Sequence, residues 1–322
     1  MAFIPAELAH PLIFNSIVLL ASFYILFKSA DLIVYGISHY ARRLGLSDAI
    51  TGLVVVAMAA SAPEIISSLT GFMTGQSGIG FGTILGSNMV HVGFALGLLC
   101  LIGKKISLEP SIFTKKRLLM WGMLMLPFVL GILGSGLSRL DGAIMLAAFC
   151  TYLVMLWKIE GKTGKIKKNV EFKNIWRDAV IFMLALAALI LAGRWLVFSS
   201  IQIAAYFNVP AYFIALTIIG IGTTIPDFAV EIRSLFQAHS SIGLGDLLGS
   251  LMIELLLFFG IVSVITPIKI DMAQAFNAMI FLVIGITLVM FWMNKKQLTW
   301  KHGLAFIALY AVFLAIEIYK IV

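Results

Sequence analysis

Charged residues are scarce in this chain. They make up 12% of its 322 residues, about half the share in soluble domains, whereas 61% of the residues are hydrophobic. The 15 acidic and 23 basic side chains are too few to form the polar shell that a soluble protein of this size needs. The scarcity excludes an ordinary soluble enzyme, and it argues against a nucleic-acid-binding protein despite the net charge of +8. It indicates an integral membrane protein whose few charges set the topology or serve the function.

Cysteine is also rare, and the two that occur, Cys100 and Cys150, both lie in apolar runs. This excludes a disulfide framework and a cysteine-based zinc site. The motifs His-Glu-x-x-His and Gly-x-Ser-x-Gly are missing too, as is a soluble substrate domain. We therefore expect neither an enzymatic activity nor a bound cofactor.

Long apolar runs are abundant and predict an all-α membrane protein with ten transmembrane helices. The first run has no clear cleavage site and continues into a long membrane segment, so it is not a removable signal peptide. Spans 2, 3, 7 and 8 are rich in Gly, Ser and Thr, which predicts broken helices that line a cavity. The ten predicted spans are 12–40, 48–74, 78–102, 118–134, 139–157, 177–205, 210–238, 241–267, 271–294 and 299–320.

The basic residues predict the orientation. With the N-terminus outside, 17 of the 23 lysines and arginines fall in cytoplasmic loops, three fall outside and three lie within spans. Both termini are then extracytoplasmic, and the polar linker 158–176 is cytoplasmic. This linker separates two five-helix halves, residues 1–157 and 177–322.

The two halves are related by an internal repeat. When segment 77–89 is aligned with segment 240–252, eight of the thirteen positions are identical. The same fixed shift along the chain places Pro63 on Pro226 and Glu64 on Asp227. Because each half has an odd number of spans, the second half enters the membrane from the opposite side. Such inverted repeats place a substrate site near the bilayer midplane, between the halves.

Two acids at equivalent positions of the repeat are the strongest functional signal, since a carboxylate is costly in hydrocarbon. Glu64 and Asp227 each follow a proline, which frees carbonyl groups in the preceding turn. A hydroxyl precedes each acid by three residues, at Ser61 and Thr224. Such an all-oxygen set suits a hard cation such as Ca²⁺ or Na⁺.

The next span of each half adds a second polar set. Ser87 and Ser250 follow glycines, and one helical turn beyond each serine lie His91 and Glu254. Other interpretations remain open: the Gly-Ser pairs also fit tight helix packing, and a lone histidine can cap a hydrogen-bond network.

At these residues the sequence resembles the cation/calcium antiporter superfamily, which contains the sodium/calcium exchangers and their prokaryotic relatives. Ser61-Ala-Pro-Glu64 and Thr224-Ile-Pro-Asp227 match the first family motif, and Gly86-Ser87-Asn88 matches the second. The resemblance implies exchange of Ca²⁺ for Na⁺ by alternating access, with spans 1 and 6 sliding across the other eight. It also implies that the transported ions contact oxygens of Glu64, Asp227, Ser61, Thr224, Ser87 and Ser250 and the backbone carbonyls of Ala60 and Thr223. We add Asn88, His91 and Glu254 to these candidate ion-contacting residues.

Four positions depart from the family pattern, namely Ala60, His91, Leu251 and Glu254. Histidine titrates near neutral pH, so His91 together with Glu254 suggests proton sensitivity, and the exchanged ion could be H⁺ rather than Na⁺.

The Pro-Asp and Ala-Pro-Glu sequences also resemble the potassium-dependent branch of the family. An intramembrane hydrolase and a non-transporting scaffold are the rival classes.

The sequence thus predicts a secondary antiporter of the cell (inner) membrane. Its expected partners are inorganic cations and the lipid bilayer, with no nucleic acid, and a monomer can suffice.

Overall fold

Membrane-length helices dominate the computed structural model. It describes residues 11–43, 61–107, 116–160, 175–225, 227–228, 247–295 and 297–321. Within these residues, eight helices are long and apolar enough to cross a membrane. The predicted spans 48–74 and 210–238 are described only in part, as shorter helices. The described residues therefore agree with a multi-pass helical membrane protein.

The helices follow the predicted spans closely, because each is a continuous apolar run that ends at polar or glycine-containing corners. Their bounds are α1 Pro11–Arg43, α2 Ala62–Met73, α3 Ser77–Met89, α4 Leu96–Gly103, α5 Arg117–Gly134, α6 Arg139–Glu160, α7 Ile175–Tyr206, α8 Ala211–Ile214, α9 Phe259–Ile265, α10 Met272–Trp292 and α11 Trp300–Tyr319.

Three π-helical segments connect some of these helices: Val90–Ala95, Ala215–Ile219 and Ile253–Phe258. The first and third occupy equivalent positions, because the alignment of the halves places Val90 on Ile253. The break predicted in span 3 is thus a π-helical widening inside the continuous helical run 77–103. A π segment turns the following side chains relative to those before it while it keeps the backbone hydrogen-bonded, so no unwinding is needed.

Short antiparallel strands close two corners of the bundle, and they also recur between the halves. Strand β1 (Lys105–Ser107) pairs with β4 (Gln297–Thr299), and β2 (Gly136–Leu137) pairs with β3 (Ile268–Lys269). In the alignment of the halves, the first residue of β1 falls on the first residue of β3. The first residue of β2 falls on the first residue of β4 if the connection before it is slightly shorter in the second half. The two strand pairs are therefore equivalent positions of the repeat.

Glycine contacts between helices also recur at equivalent positions of the two halves. Gly97 of α4 lies against the backbone of Gly303 and the side chain of Ile307 in α11. Its repeat mate, Gly260 of α9, lies against Gly142 and Leu146 of α6, which are the counterparts of Gly303 and Ile307 in the first half. Close approach at these small residues lets the two helix pairs pack tightly.

The buried apolar side chains form two separate clusters. The larger cluster joins α3 to α6 with the helical run 247–265, α10 and α11. The smaller cluster includes Leu26 of α1, Leu196 of α7 and Ile219 of the helical run 211–225, and α1 and α7 pack along each other. Helices α1 and α7 therefore share this cluster with α3 and the helical run 211–225, and both contact α2.

The two halves meet backbone to backbone where α3 crosses the helical run 211–225. Gly86 of α3 contacts the main chain of Leu216, and Gly220 contacts the main chain of Gly86 and Ser87. This crossing sets the distance between the polar positions that follow on each helix, Ser87 on one and Thr223 on the other.

Candidate functional site

Glu64 lies at the beginning of a buried helix. Helix α2 begins at Ala62, with Ser61 as its N-cap residue and Pro63 in the first turn, where a proline interrupts no intrahelical hydrogen bond. The Glu64 carboxylate in that turn is at the positive end of the helix dipole, and Ser61 and Glu64 are both fully buried. The carbonyls that proline was predicted to free lie before Ser61, outside the described residues, as does Ala60.

Asp227 occupies the equivalent position in the second half and is 2% exposed. The helical run before it contains Thr223 and Thr224, which are both buried. Thr223 donates its hydroxyl proton to Ile219 O (2.9 Å) and Thr224 donates to Gly220 O (2.7 Å). Because these protons are committed to the helix, the hydroxyl lone pairs remain available to a cation. Pro226 lies outside the described residues.

Glu254 of the second half accepts two hydrogen bonds from the first half. The Ser87 hydroxyl donates to Glu254 Oε2 at 2.9 Å, and Asn88 Nδ2 donates to the same oxygen at 2.8 Å. Asn88 also donates to Ile84 O within its own helix (2.6 Å). All three side chains are buried, so these bonds tie the halves together in the interior of the protein.

His91 contacts the acid of the other half. Its Nε2 lies 3.4 Å from Asp227 Oδ2, and both residues are buried. Repeat symmetry maps the Asn88–Glu254 bond onto Leu251 and His91, and a leucine offers no donor. The Asn88–Glu254 bond therefore has no counterpart between Leu251 and His91, and the histidine contacts Asp227.

The acids form one electrostatic group that draws on both halves. Glu64 lies close enough to Asp227 and Glu254 for their charges to repel, Thr223 neighbours Glu64, and Ser61 neighbours Glu254. Both carboxylate oxygens of Glu64, as well as Glu254 Oε1 and Ser61 Oγ, receive no hydrogen bond from the described residues. Buried carboxylates of this kind need protons or cations to offset their desolvation.

The acids are nevertheless not packed into one tight metal cage. Within the described residues, no group of three or more His, Cys, Asp or Glu side chains has the spacing of a metal site. A cation bound here therefore has to draw on hydroxyl and amide oxygens as well. Asn88 Oδ1 is such an oxygen, since it is buried and accepts no hydrogen bond from the described residues.

The structure thus brings together Ser61, Glu64, Ser87, Asn88, His91, Thr223, Asp227 and Glu254. Thr224 and Ser250 are buried on the same helical runs. Two further hydroxyls that the sequence motifs do not include, Ser67 and Ser68, are fully buried on α2. The Ser67 hydroxyl donates to Pro63 O (2.7 Å) and that of Ser68 donates to Gly80 O of α3. Their position about two helical turns after Ser61 is the sequence signal that could have placed them on the same helix face as the site.

The amide of Asn88 gives a first testable prediction. We expect Asn88→Ala to lower the free energy of unfolding by about 1.5–3 kcal/mol, because the buried Glu254 carboxylate loses a charge-assisted hydrogen bond. Denaturant unfolding in detergent micelles measures this change. Asn294→Ala, which truncates an exposed asparagine at the end of α10, is the matched control. Equal stability of the two variants would contradict the assigned bond.

Comparison with a protein-family description supports the sequence resemblance. The description "Sodium/calcium exchanger protein" matches residues 14–158 and 178–319, on both sides of the predicted linker. Among curated relatives, CaxA of Alkalimonas amylolytica, which is provisionally named an antiporter, is 32% identical over 274 residues. That alignment covers 81% of this chain and 83% of CaxA.

Two solved exchangers share the fold. The sodium-calcium exchanger NCX_Mj, soaked with Na⁺ and Sr²⁺, superposes with a TM-score of 0.66 at 23% identity, covering 94% of this chain and 98% of that one. The H⁺/Ca²⁺ exchanger CAX superposes with a TM-score of 0.76 at 14% identity, covering 94% of this chain and 82% of that one. At these identities the likeness concerns the fold alone.

Proposed function

Because the chain belongs to the sodium/calcium exchanger family of cation/calcium antiporters, we propose that it exchanges Ca²⁺ for Na⁺ across a membrane by alternating access. The observation that carries the proposal is the buried group of Glu64, Asp227 and Glu254, contributed by both halves and only partly satisfied by hydrogen bonds. A merely structural role favours carboxylates with complete sets of partners. Buried oxygens without hydrogen-bond donors are suited to bind a cation that associates and dissociates during transport.

We propose that ten transmembrane helices form two inverted five-helix repeats, residues 1–157 and 177–322, joined by the cytoplasmic linker 158–176. The paired π-helical segments, the paired strand corners and the paired glycine contacts support this arrangement. The distribution of basic residues supports extracytoplasmic termini in the cell (inner) membrane.

The moving part in this proposal is the α1–α7 pair, which is span 1 with span 6. The two helices pack along each other and contact α2, the helix that carries Glu64. Ile66 and Thr70 of α2 pack closely onto Gly193 of α7, so the pair contacts the site helix directly at this small residue. Sliding along this contact exposes the site to alternate sides of the membrane.

The transported ions are proposed to use Glu64 and Asp227 as shared ligands. The two charges match one Ca²⁺, which prefers six to eight oxygen ligands and so recruits neighbouring groups. The remaining oxygens come from the side chains of Ser61, Thr224, Ser87, Ser250, Asn88 and Glu254 and the carbonyls of Ala60 and Thr223. No resident cofactor is proposed.

Proton coupling is the second candidate function, and the contact between His91 and Asp227 favours it. A protonated imidazole 3.4 Å from Asp227 supplies the positive charge that a bound cation otherwise supplies. Proton binding and cation binding then exclude each other electrostatically. The fold shared with an H⁺/Ca²⁺ exchanger is compatible with this coupling.

Ion flux in proteoliposomes separates these functions. The purified protein is given ⁴⁵Ca²⁺ outside and an outward gradient of Na⁺, K⁺ or H⁺ of equal driving force, with protein-free vesicles as the control. We expect uptake to follow the Na⁺ gradient. Uptake that follows only the pH gradient identifies the proton-coupled alternative, whereas no uptake under any gradient indicates a non-transporting relative. Competition by Mg²⁺ and Mn²⁺ defines the cation selectivity.

A further inference from the structure

A basic pocket lies at the corner between α10 and α11, remote in the chain from the central acids. Its cavity measures about 570 Å³ and is lined by Lys295, Gln297, Thr299, Lys301 and His302. This volume is within the range of small-ligand sites. Strand β1, which pairs with β4 at this corner, adds the exposed Lys105 next to Thr299. The pocket thus collects positive charge in a concave surface.

The hydrogen bonds at the corner fix where the proton of His302 lies. The backbone N–H of Thr299 donates to His302 Nδ1 at 2.9 Å, so Nδ1 is the acceptor and Nε2 carries the proton. Nε2 lies 3.4 Å from Lys295 Nζ. A lysine ammonium also only donates, so two donors converge, and no hydrogen bond from either group to an acceptor is found among the described residues. A ligand oxygen that accepts a hydrogen bond from both Lys295 Nζ and His302 Nε2 would satisfy the two donors.

The cations of the pocket lack acidic partners in the part of the chain that the structure describes. Neither Lys295 nor Lys301 forms a salt bridge there. In addition, the first turn of α11 contains the positive charge of Lys301 and no acid. Positive groups at a helix N-terminus are unfavourable, and a bound anion relieves this repulsion.

The equivalent corner of the other half shows that the cations are not needed to build the turn. There Ser138 and Asp141, the counterparts of Thr299 and His302, form the same reciprocal bond, with the Ser138 N–H donating to Asp141 Oδ2 at 2.8 Å. An acid therefore serves the structural role in one half. The lysines at the α10–α11 corner are therefore not required to form the turn.

The surroundings of the pocket indicate a lipid as the source of the anion. Trp300 is 47% exposed beside the pocket, Lys301 Nζ lies 5.9 Å from the centre of its ring, and Trp292 packs on His302 with ring centres 4.6 Å apart. Tryptophan and lysine at the end of a membrane helix are typical of the headgroup layer. We propose that this pocket binds the phosphate group of an anionic phospholipid, and basic pockets between membrane helices are suited to such headgroups.

Native mass spectrometry of the full-length protein with added phosphatidylglycerol or phosphatidylcholine tests the proposal. We expect phosphatidylglycerol to bind preferentially, and the double variant Lys295→Gln/Lys301→Gln to weaken its binding about 30-fold, or about five-fold for each lysine. Lys269→Gln is the matched control, since it removes an exposed charge from β3, outside the pocket. An unchanged midpoint of denaturant unfolding in detergent micelles verifies that the double variant is folded.

Three outcomes overturn the proposal. Equal binding of the two lipids removes the preference for an anionic headgroup. An equal loss of phosphatidylglycerol in Lys269→Gln shows non-specific attraction to surface charge. Displacement of phosphatidylglycerol by millimolar inorganic phosphate, with the same sensitivity to the two lysine substitutions, assigns the pocket to a soluble phosphate instead of a lipid.

Discussion

Proteoliposomes that contain the Glu64→Gln variant are expected to take up Ca²⁺ at least about 100-fold more slowly than the wild type. Residues that merely support a metal ligand already change affinity or activity by about 10- to 100-fold, so a direct charged ligand should exceed that range. Glutamine keeps the shape and one oxygen but removes the charge that balances a divalent ion. Asp227→Asn is expected to have the same effect because Asp227 is the repeat mate of Glu64.

The matched control for this flux measurement is Glu317→Gln. Glu317 is also buried, at 4% exposure, but it lies near the end of α11, where Lys320 Nζ is 3.5 Å from its carboxylate. Its neutralisation should leave Ca²⁺ uptake within about two-fold of the wild type. Retention of more than a tenth of the flux in Glu64→Gln contradicts the proposed ion site.

Loss of folding does not explain the expected loss of flux. Neither Glu64 oxygen receives a hydrogen bond from the described residues, so neutralising the side chain removes a buried charge without breaking a bond. The variant should therefore unfold in ion-free detergent at the same denaturant concentration as the wild type or a higher one. A stable variant without flux separates ion binding from a structural role of the carboxylate.

The spans could be predicted from the sequence because hydrophobic length alone sets their ends. The predicted span 118–134 is helix Arg117–Gly134, 271–294 is Met272–Trp292 and 299–320 is Trp300–Tyr319. The π-helical segments could not be predicted in this way. They follow from a change in hydrogen-bond register, which has no compositional marker.

The members of the site were predictable, but their partners were not. The internal repeat identified Glu64 with Asp227 and His91 with Glu254 as equivalent positions. The sequence suggested that His91 and Glu254 act together, and the two do interact electrostatically. The short contact of His91 is with Asp227, however, and Ser87 and Asn88 donate to Glu254. Such contacts depend on how one half rotates against the other, and a sequence repeat does not contain that angle.

The largest effect on stability is expected from Gly86→Ala. A Cβ atom at Gly86 would lie 2.8–2.9 Å from the main-chain carbonyl carbon and Cα of Leu216, and backbone atoms cannot rotate away as a side chain does. We expect the free energy of unfolding to fall by about 3 kcal/mol, the upper end of the usual cost of overpacking. Gly122→Ala is the control, since its Cβ would meet open space inside helix α5 and should stabilise the protein by about 0.5–1 kcal/mol.

The same substitution tests whether this crossing holds the site together. Gly86 immediately precedes Ser87, and Gly220 on the facing helix is one turn before Thr223, so a wedge at the crossing separates oxygens that the two halves contribute. We therefore expect the folded fraction of Gly86→Ala to lose Ca²⁺ flux as well as stability. Normal flux per folded molecule would show that the spacing of the halves at Gly86 is not what positions the ion ligands.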